Sequence, residues 1–255
     1  MTLLFVMNFG SGTGYAWETI EAVVRRLAAR LSANGVRCLA CYPDLAGGPP
    51  RQLAGSPIEV LEFDYTTVRK GAGQLLAFLQ LLRQHRVSVL YLTDQPTWSP
   101  YYPLFHLAGV RRIIVHDRNS GDRSRRSGAL QRIKRVVHHV PLLAADCFIG
   151  VSEFVADRLR RVNGTPPERT HRVYNGIDLQ RFDDPGGPGV LETLGLAPTA
   201  KVVFASGRAQ PYKGIPVLID AAAIVEEAGY PEVHFAYAGD GPALDQFRQI
   251  GRAHV

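Results

Sequence analysis

Apolar runs of four to six residues recur along the chain at 3–7, 36–41, 58–63, 87–92, 112–115, 147–151, 202–205 and 234–238. Runs this short, bounded by glycine, proline or charged residues, read as buried β-strands. Between several of them the apolar positions return every three or four residues. Ile20, Val23, Val24, Leu27 and Leu31 form one such set, and Leu75, Leu76, Leu79 and Leu82 a second. Phe154, Val155 and Leu159 form a third, with Ser152 placed to cap its N-terminus, and Val217, Leu218, Ala221, Ala222 and Val225 a fourth. Short strands alternating with helices predict an α/β fold of parallel βαβ units with right-handed crossovers. Ligands of such sheets sit at the carboxyl ends of the strands.

The alternation breaks at 176–199. Asp183-Asp-Pro-Gly-Gly-Pro-Gly189 is rich in turn formers, and Pro198 ends a short helical piece at 191–194. The pattern therefore predicts a first domain over 1–178, a linker over 179–199 and a second domain over 200–249. That second stretch holds strand, helix, strand and part of a helix, short of the roughly 100 residues of a complete doubly wound domain. Its sheet is expected to have unpaired edges. Residues 250–255, Ile-Gly-Arg-Ala-His-Val, match one reading frame of a widely used sequencing adapter. They are expected to be a non-native tail on a C-terminally truncated chain.

Composition narrows the class. The 255 residues are 46% hydrophobic and 20% charged, which suits a packed globular protein. No apolar run reaches the roughly 18 residues that would span a bilayer. The apolar N-terminus lacks a basic lead and a small-residue cleavage site, so it reads as a first strand, and a cytoplasmic location is expected. Three cysteines argue against a disulfide framework. Cys38 and Cys41 lie three apart on a predicted strand, so they face opposite sides, and no second pair completes a zinc site. No metal is expected.

The net charge of +6 is concentrated. Between Arg111 and His139 there are nine Arg/Lys and two Asp, a local +7. Arg118, Arg123, Arg125, Arg126, Arg132, Lys134 and Arg135 lie in a polar loop and the helical pattern that follows it, with Leu130, Ile133, Val136, Val137 and Val140. A basic amphipathic segment suits an anionic membrane surface or an acidic or phosphorylated acceptor, with a merely solvated face as the alternative. No nucleic-acid motif accompanies it, and no nucleic-acid partner is expected.

The sharpest chemical signal is Ser206-Gly-Arg208-Ala-Gln-Pro-Tyr-Lys213-Gly214, between the strand at 202–205 and a helix. Arginine forks two phosphate oxygens, lysine adds a point charge and a helix N-terminus adds N–H donors, which together suit a diphosphate. Gly10, Gly12 and Gly14 follow the first strand, where their amides suit a phosphate or simply a tight turn. They are not the dinucleotide fingerprint, since Tyr15 holds its third glycine position, and no Gly-Lys-Ser/Thr makes a P-loop.

Further landmarks occur in order. Val115-His116-Asp117 ends one strand, Val151-Ser152-Glu153 follows another, Tyr174-Asn175-Gly176-Ile177-Asp178 precedes the linker, and Ala238-Gly239-Asp240-Gly241-Pro242 ends the last strand. With the Gly-Arg…Lys-Gly loop, this ordered set resembles the retaining GT-B glycosyltransferases of the "glycosyl transferases group 1" family over about residues 1–249. The resemblance implies two Rossmann-like doubly wound domains, the second incomplete in this chain. The N-terminal domain would take a glycan or lipid-linked acceptor and the C-terminal one a nucleotide-diphosphate sugar. It implies that Arg208 and Lys213, with Gly12 and Gly14, hold the donor diphosphate without a metal or other cofactor. Gly239, Asp240, Gly241 and Asn175 would lie at the donor, although Asn175 and Asp178 serve equally as turn residues. His116 and Asp117 would be catalytic, with His116 against the transferred sugar or the acceptor. Arg123, Arg125, Arg126, Arg132, Lys134 and Arg135 would face acceptor or membrane. The family's E-x7-E motif is absent from this sequence. Two alternatives stay open: another GT-B enzyme such as a nucleotide-sugar epimerase, and a non-catalytic binding fragment.

Overall fold

A computed structural model of the chain describes residues 1–12, 15–119, 129–176, 179, 183 and 189–253. It divides into two compact units, Met1–Ile177 and Asp178–Val255.

The first unit contains seven strands: β1 (Thr2–Val6), β2 (Arg37–Tyr42), β3 (Ile58–Glu62), β4 (Val87–Thr93), β5 (Arg112–Asp117), β6 (Cys147–Gly150) and β7 (Thr170–Arg172). They form one sheet of order β3-β2-β1-β4-β5-β6-β7, every neighbouring pair parallel. Six of these strands fall within two residues of the apolar runs. The brief β7, Thr-His-Arg, carries no apolar signal and is not predicted. Helices α1 (Tyr15–Ser32), α2 (Ala72–Gln84), α3 (Tyr102–Leu107), α4 (Ala129–His139) and α5 (Glu153–Arg158) connect them. The chain order reverses between β1 and β4, which makes the carboxyl ends of those two strands the switch point of a doubly wound sheet.

Strand alternation sorts the core onto two faces. Leu4 and Val6 join Leu39, Leu90, Leu92, Phe78 and Phe105 on the face covered by α2 and α3. Leu3 and Phe5 join Ala40, Ile20, Val24 and Ala28 on the face covered by α1. Cys38 belongs to the second cluster and Cys41 to the first, so the two thiols do face opposite sides and both are free. Ser152 accepts from the Val155 N–H at 3.2 Å, the cap predicted for α5. Gly150, just before it, lets the chain pass α5, because a Cβ there would meet the Ala156 nitrogen at 2.6 Å.

The second unit holds α6 (Val190–Thr193), β8 (Lys201–Ser206), α7 (Ile215–Glu227), β9 (Val233–Ala238) and α8 (Leu244–Ala253). β8 and β9 pair in parallel as a two-stranded sheet. Its core is small: Ala209, Ile215, Ala243 and Phe247. α8 continues through Ala253, so the stretch read as a tail carries helical backbone up to that residue.

Candidate functional site

The carboxyl end of the first sheet gathers a polar cluster at the switch point. Asn8 follows β1 and Asp94 follows β4, and the Asn8 amide donates to Asp94 at 3.4 Å. Asp94 has φ 52°, a left-handed conformation that aspartate tolerates better than most residues. Its own N–H donates to the His116 carbonyl at 2.9 Å. Its carboxylate accepts the Arg118 backbone N–H at 2.6 Å. Asp94 therefore ties together the ends of three strands. Burial raises its pKa above the ordinary carboxylate value, partly offset by the Arg118 N–H.

His116 ends β5 and is buried. Its Nδ1 faces the Tyr91 hydroxyl and lies 3.2 Å from the Arg118 guanidinium. A guanidinium only donates, so Nδ1 must accept and the ring proton resides on Nε2. Nε2 is buried and has no protein partner among the described residues. Burial, with the Arg118 charge second, pushes the pKa of His116 down to about 3. At neutral pH this imidazole is an uncharged hydrogen-bond donor through Nε2–H. It has no proton to give as an acid, and its basic nitrogen is already occupied.

Asp117 is committed to structure. Its Oδ2 receives the Arg158 guanidinium at 2.7 Å, in a pair where both side chains are buried. Its Oδ1 receives the Asn119 N–H at 3.0 Å. Such a pair holds the β5 end to α5. Arg118, in the basic block, is half-buried and donates to the Asn175 side-chain oxygen Oδ1 at 2.6 Å. Thus Arg118 joins His116 to Asn175, while Asp117 on the same strand end is held separately by Arg158.

The remaining candidates are distributed. Gly12 (φ 75°) packs against the 44–48 turn, where a Cβ would meet Gly47 at 3.1 Å. Gly14, Arg123, Arg125 and Arg126 lie outside the described residues. On α4, Arg132 and Arg135 are exposed, whereas Lys134 points inward and lines a cavity with Asp94 and Asp117. In the second unit the loops after β8 and β9 lie against each other. The Ala209 N–H donates to the Asp240 carbonyl at 2.9 Å, and the Asp240 carboxylate receives the Gly241 N–H at 2.7 Å. A Cβ at Gly239 would meet the Gly207 carbonyl at 1.9 Å, and one at Gly241 would meet Ala209 at 2.7 Å and the Arg208 stem at 3.1 Å. These glycines let the two loops touch. Arg208 and Lys213 are exposed, and among the described residues neither makes an ion pair. Lys213 lies 5.1 Å from the Tyr212 ring, and Gly214 (φ 77°) opens α7.

Comparison with known proteins places this geometry. The description "Glycosyltransferase Family 4" matches residues 20–181. This chain belongs to that family. A D-inositol 3-phosphate glycosyltransferase of Jonesia denitrificans is 39% identical over 244 residues, covering 84% of this chain and 55% of that protein. One of Mycolicibacterium gilvum is 36% identical over 99 residues, covering 39% of this chain and 21% of that one. The chain spans about half the length of the Jonesia relative. A glycosyltransferase structure from Rickettsia africae superposes with TM-score 0.67 at 14% identity, covering 99% of this chain and 64% of that one. Anabaena Alr3699/HepE in complex with UDP superposes with TM-score 0.64 at 19% identity, covering 100% and 66%. The family 4 fold is thus the α/β, Rossmann-like GT-B type that the ordered motifs imply. Among the described residues no helix is long and apolar enough to cross a membrane.

Proposed function

We propose that this family 4 chain is the acceptor and partial donor portion of a retaining glycosyltransferase, which moves a hexose from a nucleotide-diphosphate sugar to a hydroxyl of a glycan or lipid-linked acceptor. The observation that carries this reading is the 207–214 loop. It presents the Arg208 and Lys213 cations, free of ion pairs among the described residues, at the end of a parallel strand and before a helix N-terminus. In that role they bind the diphosphate and stabilise the negative charge that collects on it as the glycosidic bond breaks, with no metal in the step. His116 contributes Nε2–H as a hydrogen-bond donor to a substrate hydroxyl. Tyr91 and Arg118, which meet its Nδ1, position it. The exposed, basic side of α4 attaches the protein peripherally to an anionic membrane surface on the cytoplasmic side.

Calorimetric titration of the chain with UDP and other nucleoside diphosphates tests the donor half. Arg208→Ala and Lys213→Ala are each expected to weaken binding roughly tenfold to a hundredfold, the loss of a charge-assisted contact of about 1.5–3 kcal/mol. Unchanged affinity in both variants would sink the reading. Turnover of donor in the absence of any acceptor by the full-length protein would instead favour an epimerase.

A further inference from the structure

The amino end of the first sheet holds a recess that the site above does not use. Arg86, Arg111 and Arg112, with Thr2, Ser88 and Val89, line a space of about 740 Å³. These residues lie at the starts of β1, β4 and β5. The six residues of β5 separate Arg112 from Asp117, roughly 17 Å along the strand. Two backbone irregularities meet at this recess. Thr2 pairs with Val87 but Leu3 pairs with Val89, so Ser88 is an extra residue on β4. The Ser88 hydroxyl accepts the Thr2 N–H at 3.2 Å and donates to the Thr2 carbonyl at 3.1 Å. The Ser88 carbonyl accepts the Arg111 N–H at 2.8 Å. The bulge thus fastens the starts of three strands, and the shape of the recess is set before anything binds.

The second irregularity is Arg86 itself, with φ 49° in the turn from α2 to β4. The helix-to-strand turns before β2 and β5 put glycine at positive φ, Gly35 at 75° and Gly109 at 111°. Arginine in the same role carries a steric cost that glycine avoids. Its side chain does not offset that cost within the fold. Among the described residues Arg86 makes no side-chain hydrogen bond or ion pair, and neither does Arg111. Arg112 meets Asp146 at 3.0 Å, and the other Asp146 oxygen takes the Ile113 N–H at 2.8 Å. Glu59 on β3 is held by Arg37, with His85 at 3.9 Å. Three guanidinium groups therefore stand against one carboxylate, Asp146, which leaves two positive charges unanswered at the recess.

We propose that this recess is an anion site that takes a phosphomonoester dianion, free or on a lipid headgroup, at the end of the sheet away from His116. Arg86 and Arg111 fork its oxygens, and Arg112, held in place by Asp146, adds a third guanidinium. The site is separate from the Arg208 and Lys213 loop, which belongs to the second unit, and it stands whether or not that loop binds a donor.

Titration with inorganic phosphate at fixed ionic strength, followed through the amide resonances of residues 86–89 and 111–112, tests the site. Saturable shifts at those amides are expected. Arg111→Gln and Arg86→Gly should each weaken the binding about tenfold, the loss of a charge-assisted contact. Arg86→Gly also relieves the left-handed backbone, so its melting temperature should be no lower than that of the wild type, which separates lost binding from lost fold. Arg208→Ala should leave these shifts unchanged, so the outcome is independent of the transferase reading. Absence of a saturable shift at 86–89 and 111–112, or unchanged affinity in Arg111→Gln, overturns the proposal. Pelleting with phosphatidylcholine vesicles that carry phosphatidic acid then separates the two sources of the phosphate. Because α4 has its own basic side, the comparison is between the wild type and Arg111→Gln. Reduced pelleting of the variant assigns the phosphate to a lipid headgroup, and equal pelleting assigns it to a soluble ester.

Discussion

The two units solve the same local problem with different amounts of sheet. In the first, all five residues of β1 are buried, because helices cover both faces of seven strands. In the second, β8 repeats the strand-to-loop arrangement, yet Val203 and Phe204 on that strand are exposed, as are Val217 and Ile224 on α7. The difference reaches the chemistry at the strand ends. His116, Asp117 and Arg158 are buried, Asp117 and Arg158 as an ion pair and His116 against Tyr91 and Arg118. Arg208 and Lys213 stand in water. A sheet covered on both faces can impose a protonation state and a tautomer; two strands can present a charge but do little to tune it.

The sharpest way to break this contrast is to cut one aromatic ring from each unit. Phe78 is fully buried, with the rings of Phe63, Tyr65 and Phe105 at 5.1–5.3 Å. Phe78→Ala should cost the first unit about 3–5 kcal/mol, the sum of lost transfer energy and a cavity. Phe204→Ala should change stability by less than about 0.5 kcal/mol, as at other exposed positions. Urea unfolding followed by hydrogen exchange of each unit's strands reads both. Equal losses would mean that Phe204 is covered in solution.

A smaller effect separates the two sets of site residues by pH. The native His116 pKa is pushed to about 3, below the unfolded value of about 6.5. Between those limits the unfolded chain binds a proton that the native chain refuses, so stability falls as pH falls through that window. At pH 5 the expected loss is about 2 kcal/mol relative to pH 7.5. His138, also lowered by burial, acts in the same direction, so the comparison is between the wild type and His116→Gln. The variant should lose about 2 kcal/mol less on acidification. Parallel stability curves for the two proteins would show that His116 titrates normally.

What could be read from the chain beforehand follows from the range of the forces involved. Strands 1 to 6 and 8 to 9 announce themselves because each is a local run of apolar side chains, and Ser152 announces the start of α5 because a cap acts over three residues. Arg118 and Lys134 were read as members of a basic surface because charge along a sequence does not say which way a side chain turns. Arg118 meets buried His116 with one guanidinium nitrogen and Asn175, 57 positions later, with another, and what fixes Lys134 is the His138–Thr97 bond across 41 positions. Asp94 carried no signal as a lone aspartate in a polar segment. Its left-handed backbone and its ties to Asn8 and Arg118 exist only once β1, β4 and β5 lie side by side. The Asp117–Arg158 pair was hidden in the same way.

The smallest expected effect concerns the apolar surface that each unit leaves open, and here charge should decide between two similar faces. On α4 Ile133 and Val136 are exposed, as is Val140 just after it, with Arg132 and Arg135 exposed beside them. On α7, Val217 and Ile224 are exposed, but that helix carries Asp220, Glu226 and Glu227 and no base. An anionic vesicle should therefore take up the chain through α4 and ignore α7. Arg132→Gln should weaken partition onto phosphatidylserine vesicles by about 1 kcal/mol, roughly fivefold, and the effect should fade as salt shortens the screening length. Val217→Ser should leave partition unchanged. If Val217→Ser lowers binding as much as Arg132→Gln does, apolar exposure alone drives attachment. The contrast between the two units would then lie in how much surface each leaves open and not in the charge around it.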